Sequence, residues 1–233
     1  MCIRFVYNGT DTITGFNFDI DLAVWNHKII KEENRFFIGI KLEDDMYHSF
    51  HGINKNGNVG TLLYVHENPA GRETPSENSC TIANLTEQYI QDELSFDDVL
   101  SIIKNKKIVY APDTSMQAMF SDSGGRVLII EPGLGYREEK EPFSLISNYS
   151  LLSPASTKPF LVPGDDRYET AQKLLAGYDK DFSVSDALFV LHEVRQEGAF
   201  ATRVSFVYSH KNQTVYYVLN NRFDQVMEYR FPI

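Results

Sequence analysis

CIRFVYNGTDTITGFNFD, residues 2–19, breaks into two strand-like runs around a turn. Cys2–Tyr7 carries β-branched and aromatic side chains at strand density, Thr12–Phe18 does the same, and Asn8–Gly9 between them supplies turn chemistry. The chain therefore opens on a predicted antiparallel hairpin. The period-two pattern continues through Phe36–Leu42, Met46–Ile53 and Val59–Val65, with Asn54-Lys55-Asn56-Gly57 as a further turn.

Further along, a polar stretch rich in Pro, Gly, Glu and Ser runs from Glu67 to Ser79 and reads as an exposed loop. Ala83–Asp92 and Phe96–Asn105 have helical spacing, and Ser95 is placed to cap the second, with Asp97 and Asp98 at the positive end of its dipole. Strand patterns return at Ile108–Tyr110, Gln117–Ser121, Arg126–Glu131 and Phe143–Ile146, with Ser123-Gly124-Gly125 as a hairpin turn. Helices are expected at Arg167–Leu175 and Val184–Glu197, then strands at Arg203–Tyr208, Thr214–Leu219 and Gln225–Phe231. This order predicts an α+β domain spanning residues 1–233, in which two antiparallel sheets pack face to face with helices outside them.

The composition narrows the function. With 22 Lys and Arg against 32 Asp and Glu, the formal charge is −10. Such a surface repels a phosphate backbone, so no nucleic-acid partner is expected. The longest apolar runs, such as Val127–Ile130, fall far short of the roughly 20 residues that cross a bilayer. No basic flank and apolar stretch marks a secretory signal, so the expectation is a cytoplasmic protein with no membrane insertion. Self-association into a homo-oligomer is left open.

Two cysteines, Cys2 and Cys80, are too few for a disulfide scaffold. Cys80 follows a polar loop without basic neighbours and receives no role. Cys2 differs because of its position. An initiator methionine before a small residue is ordinarily trimmed, and the mature chain would then start on a residue carrying both a thiol and a free α-amine. That amine, with a reference pKa of about 8, can exchange a proton with the thiol near neutral pH. Position alone is equally compatible with a small apolar residue on an inward-facing strand.

Motifs in the rest of the chain bear on that choice. Met1-Cys2 followed by Gly15-Phe16-Asn17-Phe18-Asp19, then Gly52-Ile53-Asn54-Lys55-Asn56-Gly57, then Ser121-Asp122-Ser123-Gly124-Gly125-Arg126 through Glu131-Pro132-Gly133, then Leu145-Ile146-Ser147-Asn148, and finally Pro163-Gly164-Asp165 with Arg167 and Tyr168, stand in one order. In that order and approximate spacing they resemble the choloylglycine hydrolase family, the bile salt hydrolases and penicillin V acylases. The resemblance covers nearly the whole chain.

It implies an N-terminal nucleophile hydrolase with an αββα sandwich and no cofactor. Carried residue by residue, Cys2 is the nucleophile and its amine the base. Asp19 holds that amine through a charge-assisted hydrogen bond. Asn148 donates its side-chain amide to the oxyanion, and Tyr64 frames the other side through its backbone amide or hydroxyl, or else is an aromatic core residue. Arg167 lies near Cys2 and favours the thiolate.

One position departs from the family pattern. Phe16 stands where relatives carry an arginine, and this points to a different substrate or to weakened chemistry. Arg4 is a candidate replacement, because residues two apart on a strand share a face and Arg4 therefore projects on the side of Cys2. An apolar acyl group is expected against Phe16, the segment Leu22–Trp25 (Trp25 above all), Phe143 and Tyr149.

Other constellations carry no chemistry. His48 and His51, three apart on a strand, point to opposite faces with no partner motif, so no metal site is expected. Gly133-Leu134-Gly135 is too short for a dinucleotide loop. Asp44-Asp45 and Arg137–Glu141 read as solvated turns. The leading expectation is hydrolysis of a linear non-peptide small-molecule amide through a thioester on Cys2. An acyltransferase of the same fold, and a catalytically impaired relative acting as a binding protein, are the alternatives.

Overall fold

The computed structural model describes residues 2–23, 25–66, 68, 70–110 and 115–232. Met1 and Val24 lie outside them. The first nine elements are β1 (Cys2–Asn8), β2 (Thr12–Asp19), β3 (His27–Glu32), β4 (Arg35–Lys41), β5 (Tyr47–Asn54), β6 (Val59–Tyr64), β7 (Ser79–Thr81), α1 (Ile82–Ile90) and α2 (Phe96–Asn105). Then come β8 (Lys107–Val109), β9 (Met116–Ser121), β10 (Val127–Glu131), β11 (Gly135–Glu139) and β12 (Phe143–Ile146). The chain continues through α3 (Pro154–Thr157), α4 (Arg167–Leu175), α5 (Val184–Glu193), β13 (Thr202–Ser209), β14 (Thr214–Leu219) and β15 (Met227–Arg230).

The opening hairpin forms the middle of a six-stranded antiparallel sheet ordered β12-β1-β2-β13-β14-β15. A seven-stranded antiparallel sheet, β11-β10-β9-β6-β5-β4-β3, faces it, and β7 and β8 add a short parallel pair. Alternation along β1 shows why the layers stack. Cys2 and Val6 face inward with Phe16, Phe18, Phe206 and, from the other sheet, Ile53, Val59 and Met119. Ile3, Phe5 and Tyr7 face outward under Ala171 and Leu175 of α4 and Val190 and Leu191 of α5. On the far side, Leu62, Phe120 and Ile130 pack under Leu85 and Tyr89 of α1 and Val99 of α2. The result is the expected four layers, helices on sheet on sheet on helices.

Gly15 is required by its cross-strand partner. A Cβ there would lie 2.2 Å from the ring of Phe5, whose tip occupies the space over the glycine. Ser95 and Ser183 each cap their helix in a reciprocal capping box, with Asp98 and Asp186 returning the bond.

The structure corrects the sequence expectation at the sheet edges. β3 was not expected, and β11 falls on Gly135–Glu139, read as part of a solvated turn. Both are the outermost strands of the seven-stranded sheet. Edge strands carry charge because charge discourages pairing with a foreign strand, and that composition resembles a loop. The helix expected to run to Glu197 ends at Glu193, where Val194 leaves the helical conformation. Among the described residues, no helix is long and apolar enough to cross a membrane.

Candidate active site

One end of the six-stranded sheet collects four strand termini: the start of β1 at Cys2, the end of β2 at Asp19, the end of β12 two residues before Asn148, and the start of β13 at Thr202. Antiparallel order makes this unavoidable, and the register pairs Cys2 with Phe18 and Thr202 with Asp19. Helix α4 begins here with Arg167. Cys2, Asp19, Asn148 and Arg167 are all buried.

The contacts among them form a closed network. The Cys2 backbone nitrogen donates to Asn148 Oδ1 at 2.7 Å, and Arg167 Nη2 reaches the same oxygen at 3.3 Å. Asn148 Nδ2 donates to the Tyr64 carbonyl at 2.7 Å, which consumes one of its two hydrogens. Arg167 Nη1 bonds Asp19 Oδ2 at 2.7 Å, while its Nε and Nη2 form a fork onto Asp165 at 2.7 and 2.8 Å. Asp19 also accepts from Gln196 Nε2 at 2.8 Å and from Thr202 Oγ1 at 2.6 Å.

Burial pushes the Cys2 thiol up to about 11, helped by the Asp19 carboxylate and opposed by a hydrogen bond from the Asp19 backbone and by Arg167. The thiol is therefore protonated at neutral pH and needs a base to become a nucleophile. Burial also raises the Asp19 carboxyl, against the pull of Arg167, Thr202 and Gln196. Burial acts the same way on Asp165, but there the hydrogen bonds and charge of Arg167 outweigh it and hold the carboxyl below its usual range.

The structure thus draws together Cys2, Asp19, Asn148 and Arg167, with Tyr64 touching them through its backbone. Tyr64 presents its carbonyl to Asn148, while its ring is 39% exposed and set edge-on to His66. Val65 N–H bonds Ser115 across to β9, so by the alternation of a strand the Tyr64 N–H and C=O both face away from β9, toward Asn148.

Arg167 is near enough to the sulfur for its charge to favour the thiolate, in the direction expected from sequence, but that charge is shared with two carboxylates. Its geometry positions Asp19 and Asn148. Arg4 does share the inner face with Cys2, but its guanidinium crosses to the opposite sheet. There it bonds the Val59 and Met119 carbonyls, Thr61 Oγ1 and Ser121 Oγ. It ties the two sheets together.

The residues expected against the acyl group scatter. Phe16 is fully buried between the sheets, stacked on His51 at 5.2 Å and close to Phe206. Phe143 packs on the outer face among the helices, stacked with Tyr7, because its register partner Tyr7 points that way. Tyr149 is buried against Tyr168, with Lys158 over its ring. Trp25 alone of the four is exposed, on the segment that follows β2.

No protein-family model and no curated protein matches the chain by sequence. Solved structures do match by shape. A mutant conjugated bile acid hydrolase from Clostridium perfringens superposes with a TM-score of 0.71 at 14% identity, covering 99% of this chain and 92% of that one. Penicillin V acylase from Agrobacterium tumefaciens gives 0.62 at 14%, covering 94% and 83%. The Caenorhabditis elegans ortholog of N-acylethanolamine-hydrolyzing acid amidase gives 0.62 at 13%, covering 89% and 92%.

The chain has the αββα sandwich fold of these proteins.

Within this fold, sequence reasoning passed over Gln196 and Thr202, which hold Asp19, and it assigned no role to Asp165, which holds Arg167. Asp165 was visible within the Pro-Gly-Asp motif. Gln196 and Thr202 reach Asp19 from 177 and 183 residues away, and no local pattern announces such contacts. Among the described residues, no group of three or more His, Cys, Asp and Glu is placed to hold a metal ion. Two surface clefts of about 300 and 470 Å³, one beside the β10–β11 turn and one beside Asp92 and Arg126, include none of the residues of this network.

Proposed function

We propose that this protein hydrolyses a linear, non-peptide amide with an apolar acyl group, through a thioester on Cys2. The observation that carries the reading is the bond from the Cys2 backbone nitrogen to Asn148 Oδ1, beside a thiol too basic to ionise by itself. The reaction requires Met1 to be removed, because an amide nitrogen has no lone pair to offer whereas a freed α-amine does.

The α-amine takes the thiol proton as sulfur attacks the carbonyl carbon, and the carbonyl π electrons move onto oxygen. The second Nδ2 hydrogen of Asn148 and the Tyr64 N–H are the donors for that oxyanion, and one such donor is commonly worth about a hundredfold in rate. Collapse expels the amine, which takes the proton from the α-ammonium and leaves the thioester. Water, deprotonated by the same amine, then releases the carboxylic acid and restores the thiol. Asn148 Oδ1 orients the amine throughout, and Arg167, itself bonded to Asp19, holds Asn148.

Apolar side chains stand exposed on the segments that carry these groups: Leu22 and Trp25 after Asp19, Tyr64 itself, Phe160 and Val162 before Asp165, and Phe200 between Gln196 and Thr202. An acyl chain finds its contacts there rather than at Phe143 or Tyr149. A panel of chromogenic acyl amides, assayed with wild type and Cys2→Ala, tests the proposal. Intact mass establishes loss of the methionine and the transient acyl adduct. Equal activity in the two proteins sinks the mechanism.

A further inference from the structure

Asn148 lies just beyond β12, an edge strand of the six-stranded sheet, and two residues past the last paired position, Ile146. Its own sheet therefore does not determine where its side chain goes. What holds the segment comes from the opposite sheet. Gln117, on β9 and fully buried, donates its side-chain amide to the Ser147 carbonyl at 2.5 Å and to the Tyr149 carbonyl at 3.1 Å, the two carbonyls that flank Asn148. Beyond it, the buried Glu131 carboxylate on β10 accepts from the backbone nitrogens of Leu151 and Leu152 at 2.7 and 3.0 Å and from the Ser150 hydroxyl.

Gln117 is the informative member of this pair. Both of its amide hydrogens go to the Asn148 turn, while its Oε1 is buried with no hydrogen-bond partner among the described residues. A buried acceptor without a donor is destabilising, and an apolar residue of similar size would avoid it. The arrangement makes sense if the two donated bonds serve the turn.

We propose that Gln117 is a positioning residue that sets Asn148 for its contacts with Cys2 and the oxyanion. This rests on the amidase reading above and deepens it. Gln117 touches neither the nucleophile nor the described partners of Asp19. It acts by fixing the backbone on both sides of Asn148, so that Oδ1 meets the Cys2 nitrogen and Nδ2 meets the Tyr64 carbonyl.

Gln117→Leu removes both donors at nearly constant volume. Four readouts separate positioning from general damage. Hydrogen exchange of the peptide spanning Ser147–Ser150, followed by mass spectrometry, is expected to quicken at least tenfold while the β1 and β13 peptides keep their protection. In amide turnover, kcat is expected to fall tenfold or more with KM within a factor of two. Affinity for an apolar acyl aldehyde is expected to fall by a similar factor. The thiol adds across the aldehyde C=O, sulfur bonding to carbon and the proton ending on oxygen, so the hemithioacetal oxygen occupies the oxyanion position. Alkylation of Cys2 by iodoacetamide has no oxyanion and depends on Asn148 only through the orientation of the amine, so it is expected to fall by less than a third as much as turnover does.

Unchanged exchange at Ser147–Ser150 overturns the proposal whatever the activity, as does parallel loss of alkylation and turnover. Wild-type protein that hydrolyses no amide overturns the amidase reading instead, and exchange then decides the clamp alone. Should Gln117→Leu fail to fold, Gln117→Asn, shorter by one methylene, is read by the same measurements and is expected to show smaller changes in the same directions.

Discussion

Asn148 Oδ1 holds the backbone nitrogen of Cys2 at 2.7 Å across 146 residues of sequence. The other end of the same amide holds the carbonyl of Tyr64. A single side chain thus joins β1 in one sheet to β6 in the other, and its second Nδ2 hydrogen has no partner among the described residues.

Asn148→Asp keeps an oxygen toward Cys2 and Arg167 but loses the donor. Amide turnover is expected to fall about a hundredfold, the value of one oxyanion donor, while iodoacetamide still modifies Cys2 at a rate within a few-fold of wild type. Steady-state kinetics beside intact mass measures both. An equal fall in the two rates would assign Asn148 to building the site instead of stabilising charge.

Tyr64→Phe is expected to leave kcat/KM within about twofold of wild type. The contact that Tyr64 makes with the network is through its backbone, and its ring stands partly exposed against His66. A tenfold loss in turnover would show that the hydroxyl takes part.

Arg167→Met leaves Asp19 and Asp165 buried without their cation. Breaking a buried pair in this way costs about 3–5 kcal/mol, to be read from urea unfolding at neutral pH. The sign of the pH dependence follows from the carboxylates. Without Arg167 their folded-state pKa values rise above the ordinary carboxylate value of about 4, so the deficit is greatest at higher pH, where they are ionised, and shrinks as pH falls through those raised values, where they take up protons. A deficit independent of pH would mean that Arg167 contributes by packing alone.

His51 lies between Phe16 and Phe18, its Nδ1 buried without a hydrogen-bond partner among the described residues. Burial, with Arg4 adding to it, pulls the imidazole down to about 3. A depressed pKa stabilises the fold at pH above the unfolded value near 6.5, and the contribution drains away as pH falls from there toward 3. His51→Leu is expected to flatten the fall of stability over that window by up to about 1.4 kcal/mol per pH unit. His210, pulled down by burial to about 4, leaves a residual slope in the upper part of the same window. Denaturant midpoints at several pH values measure it, and an unchanged slope would show that His51 is already charged or exposed.

The architecture was legible wherever strands are interior. β1, β2, β5, β6, β9 and β10 carry apolar residues dense enough to read as strands, and both serine caps announce their helices. Besides the short β7, the strands that went unread, β3 and β11, are the two edges of one sheet, where Lys28, Lys31, Arg137 and Glu138 keep foreign strands away and so imitate a solvated loop. Of the site, Cys2, Asp19, Asn148 and Arg167 could be named from motifs in order along the chain. Phe143 could not be placed correctly, because strand alternation fixes two faces and does not say which one covers the nucleophile.

From its amino acids alone this chain determines which segments become strands and helices, since that depends on periodicity and capping between near neighbours. The order of its motifs, through the resemblance they carry, also groups a thiol at position 2 with Asp19, Asn148 and Arg167. Tertiary structure alone decided what those groups do to one another: that two carboxylates share the charge of Arg167, that Arg4 ties the sheets together, and that Gln117 holds the turn bearing Asn148. Hydrogen bonds and charge act over a few ångströms, and apart from Asp165, two residues before Arg167, the residues they join here are 19 to 183 positions apart along the chain, brought within reach only by strand pairing and by the closing of the two sheets.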